Sequence, residues 1–429
     1  MRIQQDRPLL TVPDFRGLNT DAFTRLRVSN PAYVFDTQLT YDLQPLIFEA
    51  ITATGGGGTA TVAHDATNRC GLMTFASALT GCSAYMQTYE YFRYQPGRSQ
   101  QIFITFNFME PKLNVLKFAG YSDGVNGFEV QLDSNTPKFV IYSSTSHGSE
   151  TVFQWEWNLD KLNGEGNGEN VNSEQFKANP SGIKLDLTKT QILVIDLQAL
   201  YVGRVRMGFD IGGGVIWCHE FNHANEETYG YIATANLPIR CGMTGTGTVS
   251  TTMCYYCCSV VSEGGQEAVG GYNFSIEGTV TAASGARTHV LSLRPKTTFN
   301  SITNRTKFVL NSISIQAGAN AVEWEICLGD VITGTTTFID ANATYSATQY
   351  NILGTTSGAP AIVIAAGYVS VAGTGSNTGG SGGSDIDFRY PISLNQAGAV
   401  RSLGTMTILL TGIGGTSACR VSANWRELR

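Results

Sequence analysis

The chain has 429 residues, 42% of them hydrophobic, and carries 28 Lys+Arg against 34 Asp+Glu for a net charge of −6. That length accommodates two or three domains, each able to bury its own core. The acidic balance and the lack of a basic run exclude a protein held mainly by nucleic-acid phosphates, and no stretch of ~18 apolar residues marks a membrane span. Charged residues make up only 14% of the chain, against ~25% in typical domains. Gly, Ser, Thr and Asn therefore fill the surface, a balance suited to an all-β protein that gives much of its surface to neighbours. The N-terminus lacks a basic stretch followed by an apolar core, so no secretory signal is expected. The nine cysteines are odd in number and scattered, which points to reduced thiols made in a cytoplasm.

Residues 1–50 lack sustained periodicity. The segment from Val12 to Gln38 has two prolines and isolated aromatics at Phe15, Phe23, Tyr33 and Phe35, which predicts an extended arm ordered by lying on another surface. One helical turn is expected within it, over Asp21–Arg27. A linker follows at Gly55–Gly58. Strands are then expected on either side of Gln95-Pro96-Gly97-Arg98, within Tyr85–Met109, because Pro-Gly is a strong turn signal. Further strands are expected at Phe128–Leu132, Phe139–Tyr142, Gln191–Leu197, Arg204–Phe209, Val215–Phe221 and Met253–Val261. Asn163–Asn172 reads as an exposed polar loop and Asp186–Thr190 as a turn or short helical element. Turn residues cluster at Glu263-Gly264-Gly265. A second strand series follows at Val290–Leu293, Phe308–Gln316, Val322–Cys327, Ile362–Val369, Asp385–Tyr390, Thr405–Thr411 and Arg420–Trp425, interrupted by the low-complexity loop Gly373–Ser384. Many short strands between turn signals predict an all-β protein of two antiparallel β-sandwich domains, jelly-roll or lectin-like, over 51–265 and 266–429, preceded by the arm.

Chemical motifs are few. His219-Glu220-Phe221-Asn222-His223 fits H-E-x-x-H, whose chemistry needs both histidines on one helical turn around a single metal, with the glutamate as general base. The flanking Gly212-Gly213-Gly214 and β-branched residues predict a strand instead. There the two histidines would lie ~13 Å apart, too far for one ion, so no metal and no cofactor are assigned. Cys254 and Cys257 have C-x-x-C spacing without a second pair, in a segment that reads as a buried strand. Gly379-Gly380-Ser381-Gly382-Gly383 matches a nucleophile elbow in letters only, since it lies in the low-complexity loop. His64, His147 and His289 have no adjacent nucleophile and read as surface or turn residues. Glu156 between Trp155 and Trp157, with Asp160 beyond, has the look of a sugar cleft. The plainer reading is one exposed acid between two core tryptophans on a strand, and Glu323 and Glu325 around Trp324 read the same way. Asp123-Gly124-Val125-Asn126-Gly127 lacks the order and final acid of a calcium loop and fits a hairpin turn. The glycine runs at Gly55–Gly58 and Gly212–Gly214 lack the lysine and helix of a phosphate loop.

Several blocks carry a resemblance. Asp21-Ala22-Phe23-Thr24-Arg25-Leu26-Arg27-Val28-Ser29-Asn30-Pro31, with Phe35-Asp36 and Tyr41-Asp42 after it, resembles the N-terminus of a widespread family of tailed-bacteriophage virion structural proteins. Tyr91-Phe92-Arg93-Tyr94-Gln95-Pro96-Gly97-Arg98-Ser99-Gln100 is similar to that family's most distinctive block. Trp157–Leu162, Asp186–Gln191, Gly203-Arg204-Val205, His219–Asn225, Asn236–Arg240, Ser262–Gly265, Leu293–Asn300 and Asn424-Trp425-Arg426 continue it over nearly the whole chain. The insert at Asn163–Asn172 and the cysteine cluster at Cys254–Cys258 depart from the family pattern. The resemblance implies a non-enzymatic virion component made in the host cytoplasm, tail-associated or fibre-like. The alternatives are a head-decorating, capsid-stabilising protein and an adhesin for host surface glycan. It implies other tail, portal or capsid proteins as partners and a homo-oligomer, a trimer among the candidates. The arm would dock by burial along a neighbour, with Phe15, Arg16, Phe23, Arg25, Arg27, Phe35, Arg93 and Arg98 as interface residues, because a planar guanidinium makes paired hydrogen bonds to carbonyls or carboxylates. For Arg93 and Arg98 the competing expectation is that they brace the Pro96-Gly97 turn.

Overall fold

A computed structural model describes residues 20–21, 25, 30–165, 178–264, 270–329, 332–356, 362–371 and 392–429. Through residue 262 the strands run β1 (Ala32–Gln38), β2 (Phe48–Thr54), β3 (Thr59–Asp65), β4 (Cys70–Ala78), β5 (Cys82–Thr88), β6 (Gln100–Asn107), β7 (Val115–Ser122) and β8 (Gly127–Asp133). They continue with β9 (Thr136–Tyr142), β10 (Glu150–Phe153), β11 (Gln191–Leu197), β12 (Val205–Ile211), β13 (Gly214–Phe221), β14 (Ile239–Gly245) and β15 (Val249–Ser262). An eight-stranded sheet has the order β13-β12-β11-β6-β15-β4-β3, with β1 also paired to β15, and a seven-stranded sheet has the order β10-β9-β8-β7-β14-β5-β2.

Alternation with period two decides which side chains meet between these sheets. Ile102, Ile104 and Phe106 of β6 and Leu193, Ile195 and Leu197 of β11 form one core with Phe128, Val130 and Leu132 of β8 and Ile239, Cys241 and Met243 of β14. Burying each large apolar side chain contributes ~1.5–3 kcal/mol. The turn at Gln95–Arg98 closes with Arg98 N–H donating to Gln95 O at 3.1 Å, and Gly97 takes φ +87°, a position that a residue without Cβ occupies at little cost. The flanking strands β5 and β6 do not pair with each other. The turn carries the chain from one sheet to the other.

The second β unit has its own core. Tyr272–Ala282, Ser417–Leu428 and Lys307–Gln316 form a three-stranded sheet, and a six-stranded sheet is centred on Thr288–Pro295, Met406–Gly412 and Val322–Leu328. Leu291, Leu293, Trp324, Ile326, Leu410, Val421 and Trp425 fill the space between. Every strand pairing in both units is antiparallel among the described residues. The all-β sandwich architecture is therefore the observed one. No helix of the described residues is long and apolar enough to cross a membrane.

The units meet at Tyr89-Glu90-Tyr91. Arg401 lies over the Tyr89 ring at 3.9 Å and Arg305 over Tyr91 at 4.4 Å. Lys307 Nζ pairs with Glu90 at 2.5 Å, and Gln396 N–H donates to the Glu49 carboxylate at 2.7 Å.

Several expectations are corrected. Residues 32–38, assigned to the arm, are β1, antiparallel to β15 with Ala32 opposite Ser262 and Gln38 opposite Cys257. The carbonyls of Thr20 and Asp21 accept from Arg206 and Arg204 of the same chain at 2.9 and 3.4 Å. Asp21 N–H donates to Arg25 O at 2.8 Å; the rest of the expected turn Asp21–Arg27 lies outside the described residues. Gly55–Gly57 is a 3-10 turn joining β2 to β3 rather than a linker between domains. His289 is a buried strand residue, 4% exposed. The loop Gly373–Ser384, the strand Asp385–Tyr390 and most of Asn163–Asn172 lie outside the described residues.

Candidate functional site

The H-E-x-x-H letters fall on β13 and the turn after it. His219 Nδ1 accepts from Asn158 N–H at 3.2 Å, and burial pushes its pKa down to about 4. Glu220 pairs with Arg204 at 3.1 Å. His223 points elsewhere, with Nε2 2.7 Å from Glu150. The strand geometry thus gives the three residues separate partners, as the glycine-flanked sequence predicts.

The interface residues assigned from sequence are dispersed. Phe15, Arg16, Phe23 and Arg27 lie outside the described residues. Arg25 pairs with Asp21 at 2.6 Å. Phe35, half-buried, packs against buried Phe92 with ring centroids 4.6 Å apart and planes tilted by 35°. Arg98 Nη1 donates to Gly264 O, tying the turn to the end of β15. Arg93 lines a cleft of about 410 Å³ with Tyr94, Pro96, Leu200, Tyr201 and Arg429. Ala199, Leu200 and Tyr201 there take φ of 45°, 48° and 62°, a left-handed run costing ~1–2 kcal/mol per residue.

A denser arrangement lies on the outer face of the seven-stranded sheet. Directly paired residues of antiparallel strands share a face. One row therefore runs Phe153, Lys138, Gln131, Phe118, Gly242, Tyr85 across β10, β9, β8, β7, β14 and β5. The next runs Thr151, Val140, Glu129, Gly120, Arg240, Gln87 over the same strands. The glycines are required: a Cβ at Gly120 would lie 2.1 Å from Phe128 O and one at Gly242 2.0 Å from Tyr85 Cβ.

Arg240 sits between the rings of Tyr85 and Phe118, 4.5 Å from each, with Nη1 3.5 Å from Glu129. Gln131 Nε2 donates to Glu129 and to the Tyr142 hydroxyl, both at 2.8 Å. Burial raises the Glu129 carboxyl above its ordinary range, opposed by the positive charge of Arg240. The other acid in this row, Glu49 on β2, lies four strand spacings away, ~19 Å. That separation is outside the ~5–9 Å of paired glycosidic carboxylates.

At the edge of the face, Gln154–Glu156 forms a 3-10 turn that places Trp155 parallel to Phe153, centroids 4.6 Å apart and planes 5° apart. Trp155 is 59% exposed while Trp157 is 2% exposed. The reading of both as core tryptophans on a strand is therefore corrected: the turn rotates Trp155 outward. A cleft of about 650 Å³ opens alongside, lined by Asn135, Pro137, Gln154, Lys184, Asp186 and Thr188. Sequence reasoning missed Glu129 and Arg240. The signal was present in the alternation Phe128-Glu129-Val130-Gln131-Leu132, which sets both polar residues on one face of a strand.

No family model matches the chain, and no curated protein matches it. Solved structures do. The endo-1,3-beta-glucanase from Streptomyces sioyaensis aligns at 8% identity over 55% of this chain and 97% of its own, with TM-score 0.38. A Bacteroides ovatus mixed linkage glucan GH16 protein aligns at 11% over 53% and 99%, TM-score 0.31. The alginate lyase AlyC3 aligns at 9% over 46% and 78%, TM-score 0.27. Against the expectation of a non-enzymatic protein, these similar structures are glucanases and a lyase.

Proposed function

We propose that the chain is a carbohydrate-binding component of a tailed-phage virion that engages glycan at the Trp155 edge of the seven-stranded sheet and the cleft beside it. The observation that carries this reading is the Trp155–Phe153 stack at the sheet edge, with Trp155 59% exposed, whereas Gln131 and Glu129 behind it are buried. A flat apolar ring surface packs against the apolar face of a pyranose, while polar groups lining the adjoining cleft, Gln154, Lys184, Asp186 and Thr188, orient its hydroxyls. The tailed-phage part rests on the sequence blocks, and a glycan role favours a tail-associated position, where a particle meets its host. With residues 32–38 built into the sheet, the segment assigned to anchoring narrows to residues 1–19.

The test is a glycan array of bacterial surface polysaccharides with the intact chain, repeated with Trp155→Ala. Binding that falls at least about tenfold in the variant, ~1.4 kcal/mol, is expected. A blank array, or equal binding by the variant, overturns the reading. Gold-labelled antibody on intact particles tests the virion assignment separately: label at the tail supports it, and particles without label refute it.

A further inference from the structure

We infer that His147, Glu150 and His223 form a site for a divalent transition metal such as zinc, clasping the two sheets of the first domain at one edge. This inference is independent of the glycan reading. The three ligand atoms all lie within 4.8 Å of one another. They come from separate pieces of the sandwich: His147 from the loop before β10, Glu150 from β10 itself, on the edge of the seven-stranded sheet, and His223 from the turn after β13, on the edge of the eight-stranded sheet. His223 Nε2 is 2.7 Å and His147 Nε2 3.9 Å from Glu150 Oε1. Glu227, four residues beyond His223, brings Oε1 to 3.1 Å from His147 Nε2 and is the candidate for a fourth ligand. Metal–nitrogen and metal–oxygen bonds of ~2.0–2.2 Å in a tetrahedron set ligand atoms ~3.4 Å apart, and these separations bracket that value.

The ring orientations point the same way. His147 Nδ1 lies 2.9 Å from Gly148 O and His223 Nδ1 3.5 Å from Gly203 O. A carbonyl can only accept, so each Nδ1 is set to carry the proton, and each Nε2 then offers its lone pair to the carboxylates. This is the backbone-anchored arrangement that fixes metal-binding imidazoles. Tyr231 stacks on the His223 ring at 3.9 Å, holding its plane. A lone pair facing a carboxylate oxygen is repulsive unless a metal ion or a second ring proton lies between them, and zinc titration separates the two. The set has one histidine of the H-E-x-x-H letters, not two, and four protein ligands would close the coordination sphere, which suits a structural clasp.

The experiment is titration of chelator-treated full chain with Zn²⁺, and with Co²⁺ as a spectroscopic probe, followed by metal analysis after desalting and by thermal melts. The variants are His147→Asn, His223→Asn, Glu227→Gln and His219→Asn. Wild type is expected to retain close to one equivalent of zinc, to melt higher with it, and to give the intense visible absorption of tetrahedral Co²⁺. His147→Asn and His223→Asn should lose retention and the melting shift, Glu227→Gln should weaken binding, and His219→Asn should bind as wild type. His147→Asn, in a loop, guards against a variant that only fails to fold. Retention of only trace zinc by folded wild type, or undiminished binding by folded His147→Asn, overturns the site. Loss of binding in folded His219→Asn assigns the metal to a different histidine set and also overturns it.

Discussion

Asp196 and Arg206 offer the sharpest test of how the first domain is held. Arg206 Nη2 lies 2.6 Å from Asp196 Oδ2, with side chains 3% and 0% exposed. Asp196 Oδ1 accepts from Ser99 Oγ at 2.8 Å, Arg206 donates to Thr20 O at 2.9 Å, and its guanidinium lies 4.5 Å from the Trp217 ring. Removing one partner of a buried pair leaves the other charge desolvated without its counterion and costs ~3–5 kcal/mol. Asp196→Ala should therefore lower stability by about that amount, a Tm drop of roughly 6–20 °C for a domain of this size. Asp196→Leu combined with Arg206→Met should recover most of the loss, because apolar replacement of a whole buried pair is often close to neutral. Urea melts followed by tryptophan fluorescence, with calorimetry to separate the two domains, provide the measurement. A cost below ~1 kcal/mol for Asp196→Ala, or no recovery in the double variant, would refute the reasoning.

Other outcomes follow from the same geometry. Gly120→Ala places a methyl against Phe128 O and should destabilise by at least ~1–3 kcal/mol in urea melts. His219 has a folded pKa near 4, below its unfolded value, so the unfolded chain binds the extra proton first. Its contribution is complete above pH ~6.5 and is lost as pH falls towards ~4, on the order of 1–3 kcal/mol; His219→Gln should flatten that part of the pH–stability curve. Lys117, buried with Nζ donating to the carbonyls of Phe108, Glu110 and Thr252, has its pKa lowered to about 8 by burial. The sign again gives stability rising with pH, here between ~8 and ~10, and Lys117→Met should remove that rise. Arg401→Ala removes the contact over Tyr89 and should weaken the junction by ~0.5–2 kcal/mol, read as wider separation of the two calorimetric transitions.

Much of this architecture was legible in the sequence where one face of a strand is apolar and the other is not. The expected bounds of Gln191–Leu197 coincide with β11, and Val215–Phe221 reads as strand because triple glycine disfavours helix. Val115–Ser122 was missed because its residues are nearly all buried on both faces, with a lysine in the middle, so no alternation shows. The strands around Pro96-Gly97 were found but their partners were not, since a turn signal marks a reversal without saying which sheet receives the chain. The His147–Glu150–His223 cluster and the outer face are illegible for a related reason. His147 and His223, like Glu129 and Arg240, are brought together by strand order, and a single sequence does not write that order locally.

The position of β15 has a consequence for the order of assembly. It lies at the middle of the eight-stranded sheet, bonded along one side to β6 and along the other to β4 and then β1. Until residue 262 has left the ribosome, that sheet exists as two separate halves, β3–β4 and β6 with β11 to β13, each with an open hydrogen-bonding edge. A nascent chain halted before Val249 therefore exposes two unpaired templates and leaves β1 with nowhere to bind. Closure is a single late event in which one strand joins segments from both ends of the domain, a slow, long-range step during which chaperone protection of open edges counts most.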